Sequence, residues 1–425
     1  MGRWVDEYAQ TMSGSSYVAG GAATTGTGRV GNLDVLRAIA ALAVVVGHAY
    51  ALGGRSLPVR AEHWYDVLLL QTATGVWLFF GISGYVISKP FVDALVVNRP
   101  LPQLVPYALK RGFRIFPLYW LALVVVLLAV GAGSTKAWHY PAHFALVHNL
   151  VPGRQAAILS VAWTLTLEVL FYVAIPVLAF AARRTGTTTA ERLAGFVAVT
   201  WLLSILLTVG ADLYRADRIG IWLRQSFPAM WQMFCPGILL AIAPHLRSAR
   251  WRRWLVELPT ARWSWLIAAF ALLVAAVLNS LAPLGHGLET FQVVYDASRP
   301  LFAIGYGLVL ATAIAARPWC RERARFMLRL GLVSYGIYLL HAVILYVLLT
   351  PRGRRLLPLQ DAGALPFVFH LLLLLGLTIP LAMASWRWFE QPCIRLGSSL
   401  ARRWRERSDP RTDGSVVIVA DVAAG

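Results

Sequence analysis

The chain has 425 residues, 58% hydrophobic and only 14% charged, against roughly 25% charged in a soluble globular domain; that balance, with apolar runs about 20 residues long, excludes a soluble fold. The net charge of +19 suits basic residues flanking membrane helices better than a nucleic-acid partner. Three cysteines, Cys235, Cys320 and Cys393, form no CxxC pair and so no disulfide framework.

Residues 1–32 are rich in Gly, Ser and Thr and lack the apolar core of a signal peptide. They read as a disordered cytoplasmic tail, with the first helix as an uncleaved anchor. Ten apolar segments follow, at 33–51, 66–88, 115–131, 163–182, 194–210, 229–244, 263–282, 299–316, 328–350 and 366–389. The stretch 396–425 is basic and then small and polar, and is expected to be a largely disordered cytoplasmic tail. Lys and Arg in the flanking segments, with Arg299 and Arg329 at span edges included, number 26 on the side of both termini and 11 on the other, which puts both termini in the cytoplasm. The expected architecture is therefore an all-α polytopic protein of the cell (inner) membrane. Its domain, residues 33–395, holds about ten transmembrane helices.

Ionisable residues within such spans cost about 2.5–3.5 kcal/mol each on insertion scales, so they face a protein interior or a water-filled cavity. In the first span Arg37 and His48 are eleven positions apart. Eleven steps of about 100° end about 20° past three full turns, so both lie on one face, about 16.5 Å apart along the axis. Asp34, Ala41 and Val44 share that stripe. A snorkelling Arg and a structurally bonded His are the plain reading. The chemical one is a general base, since a His titrates near neutrality.

The second span ends Phe79 to Ser88 with small residues at Gly81, Ser83 and Gly84, which let another backbone or a ligand approach. Ser83 as a nucleophile lacks an evident adjacent base. Before the third span, Arg111 and Arg114 lie one turn apart, suited to interfacial anchoring or to a fork that grips phosphate. In the outer segment 134–160, His139, His143 and His148 have near-helical spacing, but Pro141 interrupts the first turn and no carboxylate or Cys accompanies them. No metal site is expected there. The fourth span opens Trp163-Thr164-Leu165-Thr166-Leu167-Glu168, with Thr164, Glu168, Phe171 and Tyr172 on one face. Glu168 is expected at the depth of His48, as its orienting partner. The ninth span carries Ser334, Tyr338 and His341 as a polar seam. At the end of the tenth, Arg387 and Glu390 have one-turn spacing and read as a structural pair.

These stretches together resemble the acyltransferase-3 family of membrane acyltransferases. The resemblance rests on six motifs in the family's order, spread over residues 33 to 395. They are Arg37-x10-His48, the Phe79 to Ser88 stretch, Arg111-x-x-Arg114-Ile-x-Pro-x-Tyr119, and Trp163 to Tyr172 with Thr164 in place of Ser. The run Ser334 to His341 and the closing Glu390-x-Pro392 complete the set. The resemblance implies an enzyme, an acyltransferase acting with groups other than amino-acyl groups. It moves an acyl group from acyl-CoA, with acetyl-CoA the expected form, to a hydroxyl of a sugar, polysaccharide or glycosylated natural product such as a macrolide. No tightly bound cofactor is implied; the expected partners are acyl-CoA, the acceptor and the lipid bilayer.

On that reading His48 and Glu168 are catalytic, and Arg37, Arg111 and Arg114 hold the donor. Ser83, Trp163, Tyr172, Ser334, Tyr338 and His341 form a substrate-binding or structural polar seam. Ten helices with buried Arg, His and Glu also describe an ion-coupled membrane transporter, but carriers usually show repeated halves and the sequence has no internal similarity. A glycosyltransferase would be expected to carry an acidic pair in an early outer loop, where only Glu62 stands.

Overall fold

A bilayer offers the backbone no hydrogen-bond partners, so each apolar run closes its own as a helix. The computed structural model describes residues 26–52, 64–130, 139–150, 158–214, 222–248, 253, 262–281, 288–316, 321–349 and 364–408. The first half of these comprises α1 (Gly26–Leu52), α2 (Trp64–Gln71), α3 (Gly75–Val96), α4 (Leu104–Val130), α5 (Tyr140–Phe144), α6 (Ala162–Arg184) and α7 (Ala190–Tyr214). The second half comprises α8 (Phe227–Ile242), α9 (Arg262–Leu281), α10 (Leu288–Ala315), α11 (Arg321–Leu332), α12 (Ser334–Leu348), α13 (Ala364–Ser385) and α14 (Gln391–Ser408). Among the described residues eight helical stretches are long and apolar enough to cross a membrane, or nine when α11 and α12, bent by 67° at their junction, are counted as one broken span. The shorter apolar stretch Leu266–Leu278 of α9 stands where the seventh span was expected. The protein is an all-helical, multi-pass membrane protein.

The stretch Trp222–His245 is 72% buried and that of α1 67%, against 22% for α7, so α1 and α8 stand inside the bundle and α7 at its edge. Three rings from three helices fill the centre: Phe234 of α8 stacks on Phe80 of α3 at 4.7 Å and on Phe171 of α6 at 4.2 Å. The α3–α8 contact is backbone to backbone. A Cβ on Gly237 would meet the Gly81 carbonyl oxygen and the Tyr85 nitrogen, and one on Gly84 would meet the Phe234 carbonyl. Glycine is required at both, as at other close helix crossings in membranes. Gly237→Ala is therefore expected to destabilise the protein by about 1–3 kcal/mol, the usual cost of overpacking. Thermal unfolding in detergent measures it, and an unchanged midpoint would mean the helices are not in contact there.

Several boundaries differ from the sequence reading. Helix α1 begins at Gly26, inside the expected tail, whereas residues 1–25 and 409–425 lie outside the described residues. Helix α4 starts eleven residues before position 115, and helix continues through 396–408, where a tail was expected. The two extensions share a cause: α14 packs along α4, with Gly397 against Phe113 and Leu109. Each supplies the other's buried face. Pro141 sits in the first turn of α5 and does not interrupt it, because a first-turn N–H has no intrahelical partner to lose. A π-helical turn, Trp386–Glu390, joins α13 to α14 and buries Glu390, which accepts a 3.1 Å hydrogen bond from Ser385.

Candidate active site

Because α4 begins early, Arg111 and Arg114 lie within the helix and project into the bundle. They line a cavity of about 90 Å3 with Arg37 of α1, Ser83 of α3, Glu168 and Tyr172 of α6, and Ser334 and Tyr338 of α12. Room for about three waters is thus walled by three guanidinium groups and one carboxylate. Arg37 is ion-paired with Asp34, Nη1 to Oδ1 at 2.6 Å. Glu168 Oε1 accepts from the Tyr172 hydroxyl at 2.6 Å and from Ser83 Oγ at 3.1 Å. The Arg111 guanidinium lies over the Tyr172 ring, 5.5 Å from its centroid. With Arg37 paired to Asp34, Arg111 and Arg114 against Glu168 leave the wall net cationic, an arrangement able to hold an anion.

A second polar group adjoins the first through Tyr338. The Tyr338 hydroxyl lies 2.6 Å from Thr164 Oγ1 and 3.0 Å from the Val161 carbonyl. Its ring stands edge-on to His341 at 5.9 Å, and His341 stands edge-on to His48 at 5.0 Å. Each imidazole places Nδ1 against the carbonyl one turn back: His48 to Val44 at 2.9 Å, His341 to Ile337 at 3.1 Å. A carbonyl oxygen only accepts, so Nδ1 carries the proton and the Nε2 lone pair is free on both rings. His341 Nε2 is buried with no hydrogen-bond partner.

Most residues singled out in the sequence therefore converge, in two adjoining groups. Glu168 does not orient His48 as expected: its hydrogen bonds go to Ser83 and Tyr172, and the ring beside His48 is His341. Helical periodicity fixed the face of α6 but not which neighbour that face meets. Trp163 is half-buried and packs on the apolar core outside the cavity. One contributor, Tyr335, was missed, and one contact of an expected residue was not foreseen. Tyr335 lines the cavity and donates to the Ile115 carbonyl at 2.7 Å, and Ser83 has a carboxylate neighbour, Glu168, that no local spacing signalled.

Comparison with known proteins gives this site its context. The family described as "Acyltransferase domain" matches residues 30–387, which takes in every motif above except Glu390 and Pro392. The chain belongs to the acyltransferase-3 family. This acyltransferase is also 26% identical over 408 residues to Nodulation protein 10 of Rhizobium leguminosarum bv. viciae, covering 89% of the present chain and 96% of that protein. No solved structure matches it. It is a multi-pass membrane enzyme of an acyltransferase family, and an acyl donor is implied.

The acyltransferase also buries His139, His143 and His148 between α4 and α6. The His143 and His148 rings stack at 4.3 Å, and none of their four nitrogens has a hydrogen-bond partner. Among the described residues no group of three or more His, Cys, Asp or Glu is arranged to hold a metal ion. Burial first, and then the neighbouring histidine, lowers the pKa of His143 to about 4 and of His148 to about 3. Both lie below the unfolded value of about 6.5. Between that value and the folded ones, the unfolded chain binds protons that the folded chain does not, so stability is complete above pH 6.5 and falls on acidification. The loss is at most about 1.4 kcal/mol per ring per pH unit in that window. His143→Phe with His148→Phe should flatten the decline of thermal midpoint between pH 7 and 4. An unchanged slope would show that the pair does not titrate with unfolding.

Proposed function

We propose that this acyltransferase moves an acyl group from acyl-CoA to a hydroxyl of a sugar, polysaccharide or glycosylated product, with both termini in the cytoplasm of a cell whose inner membrane it spans. The observation that carries the reading is the cavity of three arginines set beside two histidines with free Nε2 lone pairs. Arg111, Arg114 and Arg37 hold donor phosphates, which guanidinium forks bind through paired charge-assisted bonds. The pantetheine arm runs along the α1 stripe toward His48, about 16.5 Å from Arg37 along the helix axis. His48 Nε2 takes the acceptor hydroxyl proton, and the alkoxide attacks the thioester carbonyl. The C–S bond breaks as the ester C–O bond forms, and the thiolate leaves and takes the proton back from His48. Glu168, bonded to Ser83 and Tyr172 beside Arg111, offsets the cationic wall and spaces it.

Purified protein in vesicles, given radiolabelled acetyl-CoA and a panel of glycosylated acceptors, tests this. Label transfer matched one for one by free CoA thiol is expected. Acceptor uptake in the absence of any acyl-CoA, with no thiol released, would sink the proposal.

A further inference from the structure

A second cavity, about 250 Å3, lies between α3, α6, α7 and α8. Its walls include Phe91, Leu95, Ile175, Ala179, Phe196 and Trp231, and no charged side chain lines it. It lies farther along the same stripe of α6 as the arginine cavity, since Glu168 and Tyr172 line the first and Ile175, Ala179 and Ala182 the second. An apolar cavity of about 150 Å3 stays dry and takes up benzene, so hydrocarbon is the occupant this one selects. Phe196, which lines it, is exposed, as are Val177 and Phe180 of α6 and Val199 of α7 on the outer faces of those helices.

The polar end is equally specific. Thr185 and Thr187, with hydroxyls 3.1 Å apart, line the cavity at the α6–α7 turn. Arg184 there is exposed and folded over the Phe180 ring at 4.4 Å. Exposed Arg192 reaches the Gly186 carbonyl at 3.3 Å, and Arg183 ties the α3 end by donating to Ala94 and Arg99 carbonyls. The acids nearby are fewer than the cations: Asp93 pairs with Lys89 and His245, and Glu191, bonded to the Arg247 backbone N–H, keeps its charge beside Arg192. The end is therefore net cationic. It belongs to α6 and α7, apart from Arg111 and Arg114 of α4, where donor phosphates are proposed to sit.

We infer that this groove is a binding site for an anionic glycerophospholipid, with one acyl chain between α3, α6 and α8 and the phosphate at Arg184, Arg192 and the Thr185–Thr187 hydroxyls. Occupancy would set the spacing of α3 and α6, the helices that carry Ser83, Glu168 and Tyr172.

The full protein is reconstituted in phosphatidylcholine vesicles containing phosphatidylglycerol with a diazirine in its acyl chain, photolysed, and its adducts are mapped by mass spectrometry. Adducts are expected on the facing ends of α3, α6 and α8, reduced several-fold by excess phosphatidylglycerol and not by phosphatidylcholine. Ala179→Leu with Ala182→Leu fills the groove and should remove these adducts from protein that stays monodisperse. Arg184→Gln with Arg192→Gln should abolish the preference for the anionic lipid while chain adducts persist. If the filled variant does not fold, the wild-type map decides. Adducts spread over the lipid-facing surface, equal labelling by a neutral lipid, or competition by long-chain acyl-CoA and not by phosphatidylglycerol would each overturn the assignment.

Discussion

His48→Ala should lower the turnover number by about 10^2–10^4-fold, the usual contribution of a general base, in protein that remains monodisperse and still binds the donor. His48 is confined in a way that suits this role. Its Nδ1 is held by the Val44 carbonyl, which leaves Nε2 as the only basic nitrogen. His341, with the same restraint and a buried Nε2 lacking a partner, is the next ring. His341→Ala is expected to lower turnover as well, by less than His48→Ala if it only positions its neighbour. Combining the two should cost little more than the larger single effect, because residues acting as a unit are not additive. Steady-state kinetics with acetyl-CoA, with thermal shift by CoA as the binding control, separates chemistry from binding. A His48→Ala enzyme turning over near the wild-type rate would end the assignment.

The second large effect concerns the arginines. Arg111→Gln and Arg114→Gln should each raise KM for the acyl donor by about 10- to 100-fold, since a lost hydrogen bond to a charged group costs about 1.5–3 kcal/mol and 1.4 kcal/mol is a factor of ten. The acceptor KM should stay within a few-fold. Lysine should restore little, because a point charge does not reproduce a planar fork. Glu168→Gln is the informative companion: removing the one carboxylate among three guanidinium groups makes the cavity more cationic, so donor KM should fall or hold while stability drops. Dephospho-CoA thioesters, used alongside acetyl-CoA, report which arginine meets which phosphate. Equal donor KM values across wild type and both arginine variants would remove the phosphate role from the cavity.

Features of the protein differ in how far residue order shows them. The membrane class and the polar residues Arg37, Ser83, Arg111, Arg114, Glu168, Tyr172, Ser334 and Tyr338 that line the cavity follow from local rules. A charge inside an apolar run stands out against its neighbours, and 3.6-residue periodicity puts Arg37 with His48 and Glu168 with Tyr172. The helical continuation to Ser408 carries its own signal, because α14 is amphipathic by itself; what residue order does not show is the partner for its apolar face, α4, nearly three hundred residues away. The partner of Glu168 was not legible either: Glu168 lies in the cavity with Arg37 and not beside His48, and which groups of other helices a side chain meets is set by packing between helices.

What the amino-acid order determined by itself, then, is everything that depends on one helix at a time: that the chain crosses the bilayer, which faces are polar, and which residue types those faces carry. Only the tertiary structure decided which faces meet. It set His341, not Glu168, against His48, brought Ser83 to Glu168 across α3 and α6, and opened an apolar groove beside the arginine cavity. The physical reason is that hydrogen bonding within a membrane helix is satisfied along the chain, whereas lateral packing is chosen by shape. Close approaches such as Gly237 against Gly81 fix that shape, and no single segment contains it.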